Sequence, residues 1–131
     1  MRLSCLIRRA AEEHAHVVAF DVDGTILSYD GDHTKFGEPL PGIIDELKKL
    51  RDANWKIAIW TCRSDLAAVK AALDERGVPY DFINENPLGP KDTSGKIFAE
   101  VYVDDRGVAF NGQTAGLAER IMAFQPWYKA Q

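Results

Sequence analysis

The run His16-Val17-Val18-Ala19-Phe20, followed at once by Asp21-Val22-Asp23-Gly24-Thr25, limits the folds open to this chain more than any other stretch. A strand buried on both faces reads as uninterrupted apolar residues rather than as an alternation, so Val17 to Phe20 is expected to be an interior strand of a parallel sheet. Two acids at the end of such a strand are costly unless something offsets their charge. A second apolar run, Lys56-Ile57-Ala58-Ile59-Trp60, repeats the strand signal, and shorter strands fit Tyr80 to Ile83 and Val101 to Val103. Helical patterns lie between them. Pro41 sits where a helix begins, with Ile43, Leu47 and Leu50 on one face. Ser64 and Asp65 supply N-cap chemistry for a stripe of Leu66, Val69 and Leu73, which Gly77 and Pro79 end. Leu117, Ile121 and Phe124 mark a last helix before Pro126. Strands alternating with helices imply right-handed crossovers, hence a three-layer Rossmann-like α/β fold on a parallel sheet.

A chain of 131 residues with no repeat or linker is expected to form a single domain over 1–131, able to bury a core without disulfides. With 46% hydrophobic and 27% charged residues, it is a poor fit to disorder. Leu3, Leu6, Ile7, Ala10 and Ala11 recur at helical spacing, so an N-terminal helix is expected over 1–14; the apolar stretch there stops at Arg8-Arg9, too soon for a signal peptide. No window has the length of a membrane span. The Gly- and Asp-rich segment 28–41 reads as a flap-like loop. The net charge of −4 gives no general footprint for nucleic acid or membrane. Cys5 and Cys62 make no paired motif and point to a reducing, cytoplasmic setting, with Cys62 read as a small buried hydrophobe. Pro126-Trp127-Tyr128 reads as an aromatic segment folded back on the core.

The chemistry gathers where the strands end. In open α/β sheets ligands bind outside the carboxyl ends of the strands. Those ends carry Asp21 and Asp23 from the first, Thr61 and Arg63 from the second, and Asp104-Asp105-Arg106 from the fourth. Four carboxylates converging on one edge repel each other or hold protons unless a hard cation joins them. Mg²⁺, held by a few carboxylates together with waters and phosphate oxygens, removes the conflict. The expected site is therefore one for metal and phosphoryl transfer.

The ordered set Asp21-Val22-Asp23-Gly24-Thr25, Thr61, Lys96 and Asp104-Asp105 resembles the haloacid dehalogenase (HAD) superfamily over roughly residues 16–112. The finer pattern, with GEPLPG before the first helix, WTCR after the second strand and VDDR after the fourth, looks like its small capless phosphatases. It is also similar to the phosphatase domain of polynucleotide kinase-phosphatases. The resemblance implies a HAD-like single domain, and the dozen residues from Ser28 to Pro39 leave no room for a cap domain. It implies Asp21 as nucleophile forming an aspartyl-phosphate, and Asp23 as the acid and base that also offers its backbone carbonyl to Mg²⁺. Gly24 and Thr25 would shape the phosphate turn, and Thr61 and Lys96 would hold the phosphoryl oxygens, with Lys91 as the rival lysine. Asp105 would bind the metal directly, and Asp104 would orient the site from behind it, or the two would exchange roles. Arg63 would grip a substrate phosphate or neutralise the acids, and His33 in the loop is a candidate substrate contact. The substrate expected is a small phosphorylated metabolite. A nucleic-acid 3′ end is the alternative, and a non-catalytic receiver-like module is the third reading, disfavoured because the acid pair comes first along the chain and not around a middle strand.

Overall fold

In the computed structural model, which describes residues 16–129, there are four strands and three helices, alternating along the chain as far as the third strand. The N-terminal helix expected over 1–14 lies outside the described residues. Strand β1 (Val17–Phe20) is followed by helix α1 (Ile43–Asp52), β2 (Lys56–Ile59), α2 (Leu66–Glu75), β3 (Phe82–Ile83), β4 (Val101–Val103) and α3 (Leu117–Met122). All pairings are parallel and the sheet order is β3-β2-β1-β4, so the domain has the Rossmann-like α/β architecture anticipated from the alternation.

Period-two alternation along β1 divides the core. Val18 and Phe20 face one side with Ile57 and Ile59 of β2, where Leu47 of α1 and Val69 and Leu73 of α2 cover them. Val17, Ala19 and Ala58 face the other side and meet Ile97 and Ala99. Both faces of β1 are thus buried, as its uninterrupted apolar run requires. Each of the fully buried large side chains, among them Ile57, Ile59 and Leu73, contributes about 1.5–3 kcal/mol through burial. Asp65 caps α2 as expected, its side chain accepting from the Ala68 amide.

The last two elements depart from their apolar patterns. β4 is an edge strand, and Val101 and Tyr102 remain 45% and 40% exposed. Helix α3 has six residues and fully buries none of them; Leu117 is half-buried and Ile121 is exposed. Residues 84–100 contain no helix; this stretch carries the chain from β3 across to β4, beside β1.

The flap-like segment is pinched at its base. Ser28 donates to the Glu38 carbonyl and Leu40 to that of Ile26, and Leu27 bridges Pro39. Gly37 is required there, because a Cβ would lie 2.0 Å from the Ser28 carbonyl oxygen. The Arg76 guanidinium, from the end of α2, donates to the carbonyls of Gly37 and Phe36 and ties the flap to the helix layer.

Candidate active site

Chain order reverses in the sheet between β1, which leads through α1 to β2, and β4, which enters on the other side. This is the switch point at which a crevice opens beyond the strand ends. The register pairs Phe20 with Val103, and the Asp21 amide donates to the Val103 carbonyl at 3.0 Å. Asp21 and Asp104 are therefore neighbours by topology. Asp21, Asp104 and Asp105 each offer an oxygen within 4.8 Å of the others. They line a cleft of about 1020 Å³ together with Asp23, Thr61, Arg63 and His33.

The three acids perturb one another. Burial pushes Asp21 up to about 8, helped by its hydrogen bond with Asp105 and the charges of Asp104 and Asp105. Burial likewise raises Asp104. Burial also works to raise Asp105, but hydrogen bonds from Asp21 and Tyr128 outweigh it and hold that carboxyl below its ordinary value. Near neutral pH the cluster keeps a proton that a cation could replace. Hard oxygen donors so closely grouped fit Mg²⁺ and do not suit a soft metal, so the residues present fit the cation that the sequence implied. Asp23 is not part of this carboxylate group.

Asp23 is engaged elsewhere. Its two oxygens accept from Nε and Nη2 of Arg63, both at 2.8 Å, a bidentate pair in which the side chains are 14% and 16% exposed. Arg63 also donates to the His33 and Lys35 carbonyls and stacks on Phe36, 3.9 Å from the ring centroid. In this structure Arg63 neutralises an acid of the site and grips the flap.

Thr61 is buried, with its hydroxyl accepting from the Arg63 amide. Asn84 holds the backbone of Thr61 from both sides: its Oδ1 accepts from the Thr61 amide at 2.8 Å and its Nδ2 donates to the Thr61 carbonyl at 3.0 Å. Asn84 directly follows β3 and has φ of 52°, a conformation in which Asn is among the tolerated residues. Applying the strand-end rule to β3 as well would have found it.

Several expected residues are placed differently. Lys96 does not line the cleft; its ammonium lies over the Tyr102 ring, 5.0 Å from the centroid. Ile97 and Ala99 are buried, so in this stretch the alternate residues Lys96 and Phe98 point away from the core. Lys91 also lies outside the cleft, in the 84–98 loop. Arg106 is on its rim instead. Gly24 and Thr25 do not line the cleft either. Gly24 has φ of 81° and lies where a Cβ would meet Asp105 Oδ2 at 2.6 Å, while Thr25 is buried with its Oγ1 unpartnered. His33 does line the cleft, with the Tyr29 hydroxyl within 3.0 Å of its ring. Cys62, expected to be buried, is exposed on the cleft wall because β2 ends at Ile59 and the chain there has left the sheet.

The aromatic segment expected to fold on the core folds on the acids. Trp127 Nε1 donates to the Gly24 carbonyl at 2.7 Å, and the Tyr128 hydroxyl donates to Asp105 Oδ2 at 2.9 Å. Nothing local in the sequence marks this pairing across more than twenty residues.

No helix among the described residues is long and apolar enough to cross a membrane. No protein-family model and no curated protein matches the chain. Among solved structures, a conserved protein from Bacteroides thetaiotaomicron is 26% identical and superposes with a TM-score of 0.62 over 82% of this chain and 90% of its own. A phosphatase of the haloalkanoate (HAD) enzyme superfamily, also from Bacteroides thetaiotaomicron, is 35% identical over 56% of this chain, with a TM-score of 0.38; the chain spans 24% of that protein's length. The first of these likenesses shows that the α/β architecture described above recurs in a solved structure over nearly the whole of both chains.

Proposed function

We propose that the chain is a Mg²⁺-dependent phosphatase of the HAD type, hydrolysing a small phosphomonoester through an aspartyl-phosphate on Asp21. The observation that carries the reading is the meeting of Asp21, Asp104 and Asp105 within 4.8 Å at the switch point of the sheet. The DVDGT order of the first strand end supports it. Bound there, Mg²⁺ supplies the positive charge that lets the acids and a phosphoryl group share the cleft. Asp104 and Asp105 would hold the cation, and the Asp21 carboxylate, in its deprotonated form, would attack phosphorus. Thr61, fixed by Asn84, sits on the cleft wall within the strand-end set and offers a hydroxyl to the phosphoryl oxygens. For Asp23 to protonate the leaving alkoxide, Arg63 must release one of its oxygens and that oxygen must first take up a proton from solvent; the resulting carboxylate then takes a proton from the attacking water. Of the cationic side chains on the cleft, Arg106 at the rim is the one free of Asp23 and the flap. The pocket is of a size that holds a small metabolite.

The nucleic-acid-end reading drew on Thr61-x-Arg63 and on the DDR ending; Arg63 is turned to Asp23 and the flap, while Arg106 of the DDR ending lies on the cleft, so the oligonucleotide belongs in the substrate panel. Phosphate release from sugar phosphates, nucleotides and a 3′-phosphorylated oligonucleotide, with Mg²⁺ or with chelator, tests the proposal. Turnover that needs Mg²⁺ and falls to background in Asp21→Asn is expected. Turnover that survives in Asp21→Asn, or that ignores chelation, overturns it.

A further inference from the structure

Five contacts converge on a pair of residues that the proposed chemistry does not use. Trp127 donates its indole proton to the Gly24 carbonyl, inside the turn that carries Asp21 and Asp23. The next residue, Tyr128, donates its hydroxyl to Asp105 Oδ2 at 2.9 Å and accepts from Arg106 Nη2 at 3.2 Å. Its ring meets the Tyr29 ring edge-on, with centroids 5.8 Å apart, and so reaches the flap. Its Cε1 lies 2.7 Å from where a Cβ on Gly24 would be, so the glycine is what lets the tyrosine ring and Asp105 approach the turn together. A segment serving only to cover apolar surface would bury its rings. Here Trp127 is 44% exposed, and what the pair satisfies is polar: a turn carbonyl and a carboxylate of the acid cluster.

We propose that Tyr128 is a positioning residue for the cation site: its hydroxyl fixes the Asp105 carboxylate beside Asp21 and Asp104, so that the three oxygens are set for one Mg²⁺ before it arrives. The inference rests on the reading of Asp105 as a cation ligand. Partners that orient a ligand from behind commonly govern metal affinity as strongly as the ligands' own geometry, because an unheld carboxylate rotates away from like charge and must be reordered on binding. Tyr128 is a donor suited to this work, since it presents its proton on a rigid ring with the backbone already anchored one residue earlier by Trp127.

The test is titration calorimetry of the full chain with MgCl₂, far below the unfolding temperature, for wild type, Tyr128→Phe and Trp127→Phe, with melting curves for all three. Tyr128→Phe keeps the ring and removes the hydroxyl; its Mg²⁺ affinity is expected to fall about tenfold or more. Trp127→Phe loosens the segment but keeps the hydroxyl, and its affinity is expected to stay within about threefold of wild type while its melting temperature falls. An affinity in folded Tyr128→Phe equal to wild type overturns the proposal, as does an equal loss in both variants, which would make the segment a structural anchor alone. A wild type that binds no Mg²⁺ overturns the cation site itself, and this inference with it.

Discussion

Replacing Arg63 with Met tests whether the bidentate pair with Asp23 is a buried clamp. Met keeps much of the stem that packs on Phe36 and removes the guanidinium that makes four hydrogen bonds: two to Asp23 and one each to the His33 and Lys35 carbonyls. The two carbonyls are near solvent and recover water. Asp23, whose side chain is 16% exposed, keeps a charge with no partner. Removing one partner of a buried pair costs about 3–5 kcal/mol, and the residual exposure places this site at the lower end, about 3 kcal/mol. With a urea slope of about 1.5 kcal/mol per molar, the unfolding midpoint should fall by about 2 M.

The clean measurement is a double-mutant cycle in urea with Arg63→Met, Asp23→Asn and the double variant. Once Asp23 is neutral, loss of the guanidinium should cost much less, giving a coupling of about 2 kcal/mol. Arg63→Lys keeps the charge but loses the planar fork and is expected to fall between wild type and Arg63→Met. Amide exchange in the flap should quicken in Arg63→Met, with the Arg76 contacts left to hold its base. A cost in Arg63→Met under about 0.5 kcal/mol, or a coupling near zero, would show the pair to behave as an exposed ion pair and refute the reasoning.

Two further outcomes follow from the same site. The folded pKa of Asp21, about 8, lies above the ordinary 3.8, so its contribution is full below about pH 4 and is lost as pH rises through 8; the raised Asp104 acts in the same sense, and the lowered Asp105 loses its contribution only at more acid pH. Metal-free protein should therefore melt at falling temperature between about pH 4 and pH 8, Mg²⁺ should restore most at the alkaline end, and Asp21→Asn should flatten the profile; scanning calorimetry showing a rise across that range rejects this. Asn84→Gly keeps the positive φ while removing both bonds to the Thr61 backbone, so it should lower kcat more than KM, and unchanged kcat would mean that Thr61 holds its place unaided.

What the sequence disclosed and what it hid divide along physical lines. β1, β2, α1 and α2 were legible because burial on one or two faces leaves a period in the residues themselves. Asp21 and the Asp104-Asp105 pair were legible because acids at the ends of apolar strands are anomalous wherever they occur. The pairing of Tyr128 with Asp105 was hidden, since it joins ordinary residue types more than twenty positions apart, while Arg63 was legible as one that could neutralise the acids, though not with which of them it would pair, and Asn84 was within reach of the strand-end rule. Lys96 is the instructive case. Its place in the chain fitted the ordered set, but burial of Ile97 and Ala99 fixes the parity of that stretch and sends Lys96 outward to Tyr102. The sequence did not set that parity, because Phe98 is as apolar as Ile97 and Ala99 and falls on the side of Lys96. The acid cluster has a different standing. Because β4 enters beside β1 and not beside β3, and because the Asp21 amide is bonded to the Val103 carbonyl, the backbones of Asp21 and Asp104 stay adjacent while the sheet stands. Their repulsion is imposed by the topology, so its relief must come from a proton or a cation, and the choice between those two is what Mg²⁺ and pH would each control.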